Sequence, residues 1–458
     1  MRRFAGRSAK ETEMIELYRT VEAKKQYIRR MPDLEFSDAA AKNVPLVAVN
    51  SAKTYQTHMG FGGAFTESAA YVLAQAGDKI RDEVCRAYFS KDGLRYNLGR
   101  VSVHSNDFSL ENYTYIRDHD DSLSSYDVSR EEKWVFPLIE RARGMAEREL
   151  AFMVASWSAP YWMKTNGDMN YGGRLKKEYR DIWAEYCCKF VCELKKRGLN
   201  VKMMSVQNEP EAVQTWESCL VSAEEEAEYV KNHLYPALKK YGLDTEIYIW
   251  DHNRDRVARR AAVTLADKEV RDIVKGVAYH WYVSEESKNL SAVHEMFPEK
   301  HLLMTECCVE LTAECESSSA YVQHAERYGR NIINDFNNFS EGWLDWNLAL
   351  DMKGGPNHVA NYCEAPVMVD TEKKTYTVNP SFYYIGHFSR FIEPGAKRLK
   401  CVNDVNSGLY SLAYKNPDGR IVVVIQNEGW VTETAVCVDG KYVNVNLPGH
   451  SIVTLIIK

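Results

Sequence analysis

Along most of the chain short apolar runs alternate with charged stretches whose apolar residues return every three or four positions. The short runs read as buried strands and the charged stretches as amphipathic helices packed on a sheet. Eight strands are predicted: Gln56–Phe61, Asn97–Val103, Leu150–Ala155, Val201–Gln207, Glu246–Trp250, Gly276–Trp281, His301–Thr305 and Gly342–Asp345. Helical spacing lies between them, as at Asp78–Ser90, Glu178–Lys196, Ala223–Lys240 and Tyr321–Asn338. This alternation predicts an α/β chain built on a (β/α)8 TIM barrel over residues 54–387. An open doubly wound sheet is the structural alternative, but "GFGGAF" has neither the glycine spacing of a dinucleotide loop nor a phosphate-loop lysine. After Phe391 the pattern shifts to short β-rich runs broken by Asn-Pro-Asp-Gly, Asp-Gly and Pro-Gly. Residues 388–458 therefore read as a small all-β sandwich, joined in part by the N-terminal segment 1–53.

Two strands end abruptly in a carboxylate. "VKMMSVQNEPEAV" breaks at Asn208-Glu209-Pro210, where Pro210 should bias Glu209 toward extended geometry. "LLMTECCVE" runs straight into Glu306. In a barrel the site lies at the C-terminal strand ends. The other polar residues there are Thr66, Glu67, Arg100, His104, Asp107, Trp157, His280, Tyr282, Asp345, Trp346 and Asn347. Glu209 and Glu306, on strands four and seven, can face each other across the barrel mouth. Two carboxylates beside tryptophans suit glycosidic-bond hydrolysis, one protonating the leaving oxygen while the other attacks or activates water. The bland readings are an Arg100–Asp107 ion pair, a core His280, and surface positions for Glu67, Glu310 and Glu364.

Composition narrows the field. Hydrophobic residues at 45% and charged residues at 27% fit a globular chain, and a net charge of −6 argues against nucleic-acid binding. No apolar run approaches the roughly 20 residues of a membrane span, so no stable membrane insertion is expected. Eleven cysteines is an odd number, and the adjacent pairs Cys187-Cys188 and Cys307-Cys308 suit neither ordinary disulfides nor zinc. With no signal peptide apparent, the expectation is free thiols in a reducing cytoplasm, with the sequons at Asn112, Asn289 and Asn338 unused. His104 and Asp107 lack a third ligand, so no metal and no cofactor are expected. No Gly-x-Ser-x-Gly elbow suggests a serine esterase.

"GFGGAFTESAA", "LGRVSVHSNDFS", "SWSAPYWMKTNG", "VQNEPE", "HWY", "TECC" and "WLDWNLALDMKGGPNHVANY" together resemble glycoside hydrolase family 30, most closely its glucosylceramidase branch. The resemblance runs from about Gly60 to the C-terminus. It implies a (β/α)8 barrel with a side β-sandwich and retaining hydrolysis of β-glycosides without metal. Carried over by motif, Glu209 corresponds to the acid/base and Glu306 to the nucleophile. Asn208 corresponds to the residue that binds the sugar 2-hydroxyl, and Asp107, Trp157, Trp346 and Asn357 to the glucose subsite. Arg100, His280 and Tyr282 surround the nucleophile. His358 stands where the family has tryptophan, and Cys307 where it has a small residue. The implied substrates are β-glucosides, oligosaccharides or glycolipids. β-1,6-Glucanase and β-xylosidase activities, and an inactive sugar-binding relative, are the alternatives.

Overall fold

The first barrel strand is a glycine-rich run. A side chain on Gly62 would place its Cβ 2.1 Å from the Leu98 carbonyl oxygen, so the close approach of the neighbouring strand requires glycine there. The computed structural model, which describes residues 14–311 and 318–458, puts this strand at Gly60–Ala64 rather than at Gln56–Phe61. Gln56 and Thr57 instead finish the long strand Leu46–Thr57 of the β-domain. The first 13 residues of the N-terminal segment lie outside the described residues.

Eight parallel strands close the barrel in chain order: β1 (Gly60–Ala64), β2 (Leu98–Ser102), β3 (Ala151–Ala155), β4 (Asn200–Ser205), β5 (Glu246–Asn253), β6 (Gly276–His280), β7 (His301–Glu306) and β8 (Gly342–Asn347). Strand β8 returns to pair with β1, Gly342 opposite Gly60. Inside, Leu98, Met153, Met203, Tyr248, Ala278, Leu303 and Leu344 form one buried layer from seven of the strands. The barrel centre is thus packed, and chemistry is left to its ends. The helix expected over Ala223–Lys240 is continuous but changes pitch. Ser222 and Glu225 cap Ala223–Tyr229 reciprocally, one π-helical turn covers Val230–Leu234, and Tyr235–Lys240 follows. The wider turn lies just before Pro236, which has no N–H to donate to the helix.

The second compact unit comprises residues up to Thr57 and Gly386–Lys458. Its sheet pairs Met14–Val21 with the last strand Ser451–Ile457, and Leu46–Thr57 with Lys397–Asn403 and Glu433–Val438. Alternating residues such as Ile15, Leu17, Val47, Val49, Val423, Ile425, Val453 and Leu455 fill its core. Among the described residues no helix is long and apolar enough to cross a membrane.

Candidate active site

Three backbone hydrogen bonds fix the bend after β4. The N–H groups of Val206, Asn208 and Glu209 donate to the carbonyls of Tyr248 (3.0 Å), Ser156 (2.8 Å) and Asp251 (2.9 Å). Glu209 has φ +45°, a left-handed conformation rather than the extended one expected before Pro210. Bonds to both flanking strands override the proline's local preference and aim the carboxylate into the barrel mouth. Its side chain is 13% exposed and lines a cavity of about 340 Å³, which Glu306 also lines.

Glu306 ends β7 in a different setting. Arg100 Nη1 donates to its Oε2 (2.5 Å), and the Tyr282 hydroxyl donates to its Oε1 (2.9 Å). Arg100 Nη2 donates to Asn208 Oδ1 (2.8 Å) and Asp251 Oδ2 (2.8 Å). Its guanidinium is fully buried and sits over the rings of Trp157 (4.7 Å) and Trp346 (5.5 Å). Arg100 therefore does not pair with Asp107. Asp251, on β5, escaped the sequence reading although "IYIWDHN" also runs an apolar strand into a carboxylate. It accepts from Arg100, from the Thr305 hydroxyl (2.6 Å) and from His280 Nε2 (3.1 Å). Removing one charge from such a buried set leaves its partners uncompensated, a cost of about 3–5 kcal/mol.

Trp157 and Trp346, which line the same cavity, stack at 5.4 Å with 24° between their planes. Asp107 lines the cavity beside them. Its Oδ2 accepts from Asn361 Nδ2 (2.9 Å), while Oδ1 is buried without a hydrogen-bond partner. A buried polar atom left unpaired at a cavity wall calls for an explanation. Burial, and then the charge of Glu306, push the Asp107 carboxyl well above its usual range, against the hydrogen bond from Asn361. Asn357, expected in the sugar subsite, is spent on its own loop: it donates to the Asn361 carbonyl and accepts from the N–H groups of Val359 and Asn361. Asn361 lines the cavity instead.

Several expected residues are brought elsewhere. His280 is fully buried, wedged between Glu209 and Asp251, and does not line the cavity. The Thr66 hydroxyl accepts from the Ala69 N–H at a helix start and donates to Asn347 Oδ1 (2.6 Å). His104 is bonded to Tyr186 and the Ser158 carbonyl, and burial lowers it to about 4. Asp345 does not line the cavity but accepts from the Tyr328 hydroxyl, and burial raises it to about 7. Glu67 and Glu364 are buried and paired with Arg130 and His324, contrary to a surface reading, while Glu310 is exposed.

The family tryptophan's replacement, His358, makes a link of its own. Its Nδ1 donates to the Ser109 carbonyl (3.0 Å) and its Nε2 lies 3.3 Å from Glu217, a buried carboxylate the sequence reading passed over. Burial opposes the charged ring, but Glu217 outweighs it, with Asp107 adding, and holds His358 above its ordinary value. A raised folded value contributes stability that is complete below the unfolded value of about 6.5 and lost as pH rises through the folded one. His358→Gln should therefore lower the Tm more at pH 6 than at pH 9. Equal losses at both would remove the ion pair from the account.

Glu209 and His280 are joined by one hydrogen bond. His280 Nδ1 faces Glu209 Oε1 at 3.0 Å while its Nε2 faces Asp251. Burial opposes a charged His280 ring, but the charge of Glu306 and the bonds to Asp251 and Glu209 raise it to about 9. Burial also pushes Glu209 up, and hydrogen bonds from His252 and His280 bring it below the usual range. Both directions favour a protonated His280 one hydrogen bond from an ionised Glu209. Burial raises Glu306, opposed by His280 and Arg100. His252, at the end of β5, adds a third group. Its Nδ1 is 3.5 Å from Glu209 Oε1, and this cluster was not visible in sequence spacing.

A closed barrel whose mouth holds two carboxylates and two stacked indoles around one cavity has the equipment for cleaving a glycosidic bond, and the molecule is a glycoside hydrolase. The chain belongs to glycosyl hydrolase family 30: residues 58–392 match its TIM-barrel domain and residues 395–455 its β-sandwich domain. It is 33% identical over 429 residues to the lysosomal acid glucosylceramidase of Mus musculus, covering 89% of this chain and 82% of that protein. The solved structure of SrfJ from Salmonella typhimurium superposes with a TM-score of 0.92 at 34% identity, covering 97% of this chain and 99% of that one. The endo-β1,6-glucanase BT3312 superposes with a TM-score of 0.86 at 26% identity, with the same coverage.

Proposed function

We propose that the protein is a retaining, exo-acting β-glucosidase of the glucosylceramidase type, with Glu306 as nucleophile and Glu209 as acid/base. The observation that carries this division is the unlike company the two glutamates keep. Glu306 is gripped at both oxygens, by a guanidinium and a phenol, which favours an ionised, oriented carboxylate. Glu209 faces imidazoles, with His280 Nδ1 at 3.0 Å, a distance at which a proton can pass between them. In the first step Glu306 attacks the anomeric carbon while Glu209 passes the proton it receives from His280 to the leaving oxygen. The pair is then empty: whichever His280 nitrogen lacks its hydrogen turns a lone pair toward a carboxylate. That repulsion makes Glu209 a strong base, suited to take a proton from the water that releases the sugar.

The 33% identity to a glucosylceramidase and the free Oδ1 of Asp107 support a β-D-glucosyl ring over the stacked tryptophans. Asp107→Ala should lower kcat/KM through kcat as well as KM, since sugar contacts strengthen in the transition state. A rise in KM with kcat intact would contradict that placement. The likeness to BT3312 favours an endo-acting β-1,6-glucanase as second reading. Turnover of a panel of nitrophenyl β-D-glycosides, with β-1,6-glucan alongside, separates the readings. Nitrophenyl β-glucoside as best substrate supports ours, and faster release of oligosaccharides from the glucan, or faster β-xyloside cleavage, overturns it.

A further inference from the structure

We propose that Glu209, His252 and His280 form an inhibitory site for a borderline divalent cation, zinc above all. One ligand atom from each, Glu209 Oε1 and a ring nitrogen from each histidine, lies within 4.8 Å of the others. Glu209 Oε1 is 3.0 Å from His280 Nδ1 and 3.5 Å from His252 Nδ1. Zinc bonds of about 2.0–2.1 Å in a tetrahedron put neighbouring ligand atoms about 3.3 Å apart, so the two measured edges bracket the required one.

The surroundings point the same way. His280 Nε2 is held by Asp251 at 3.1 Å, the carboxylate contact that orients a metal-binding imidazole through its far nitrogen. Asn253 Oδ1 accepts from the N–H groups of Tyr282 and Val283, which fixes the amide and leaves its Nδ2 facing His252 Nδ1 at 3.3 Å. In the neutral ring, the form that can bind a metal, that nitrogen is the acceptor, and its lone pair lies beside the Glu209 oxygen. Two acceptors side by side favour a cation between them. Glu209, His252 and Asn253 all line the cavity, so the ion has a way in and a fourth coordination position open to water. A bound cation would occupy the oxygen that Glu209 needs for its proton. This consequence, inhibition, rests on the proposed acid/base role, whereas binding itself does not.

The test uses the full chain stripped with chelator and two readouts. Cobalt(II) should give the intense visible absorption of a four-coordinate nitrogen/oxygen site, displaced by zinc. Zinc should inhibit nitrophenyl β-glucoside turnover, reversibly with chelator. His252→Gln should lose the cobalt bands and need at least roughly tenfold more zinc for half-inhibition of its own activity. His252→Asp, which retains a ligand atom, should keep zinc sensitivity closer to wild type and guards against simple misfolding. Absent cobalt bands in the wild type, or unchanged zinc sensitivity in a folded His252→Gln, would overturn the site. Cobalt bands displaced by zinc without inhibition would leave the ion standing and refute the acid/base role of Glu209.

Discussion

Glu306→Ala should abolish turnover of every β-glucoside, whatever its leaving group. The attacking oxygen is gone, no glycosyl-enzyme can form, and a good leaving group cannot compensate for a missing nucleophile. The variant also leaves Arg100 with Asp251 as its sole carboxylate partner among those it now has, so folding must be checked by circular dichroism alongside the rate. Azide offered to this variant can approach only from the face Glu306 vacated and should give α-glucosyl azide. Substantial residual turnover of nitrophenyl glucoside by a folded Glu306→Ala would remove Glu306 from the nucleophile's place.

Glu209→Ala should fail selectively. Nitrophenolate leaves with little protonation, so the first step persists in part on nitrophenyl glucoside. Alkyl glucosides lose the roughly 10²–10⁴-fold that a positioned acid supplies. The intermediate then accumulates because no base activates water. Azide, which needs none, should restore turnover and yield β-glucosyl azide. The contact between Glu209 and His280 adds a finer expectation: His280→Gln, which cannot supply the proton, should resemble Glu209→Ala in its leaving-group dependence. Loss that is equal for nitrophenyl and alkyl glucosides would contradict the acid role. Exchanged azide products for the two glutamates would exchange their roles.

Much of the barrel could be read from the chain because seven strands are apolar runs ending in polar residues. The first strand could not, since its glycines are dictated by the Leu98 backbone next door and look like a loop in isolation. Glu209 and Glu306 stood out because a carboxylate directly after a buried run is costly unless something receives it. Asp251 gave the same signal, but the strand was expected to end at Trp250, whereas it continues through a left-handed bend at Trp250 and Asp251 to Asn253. Asn357 and Asn361 are the same residue four positions apart in "NHVAN", and only the folded loop decides which faces Asp107. His252 and Glu217 depend on long-range neighbours that no local spacing encodes.

Turnover is expected to pass through a covalent glucosyl-enzyme on Glu306. Incubation with 2-deoxy-2-fluoro-β-D-glucosyl fluoride slows both steps but release more than attack, so the intermediate can be trapped and located by mass spectrometry of proteolytic peptides. One fluoroglucosyl group per chain is expected, carried on Glu306 in "LLMTECCVE", with activity lost in step. An adduct on Glu209, or none while the fluoride is consumed to α-configured sugar, would contradict it.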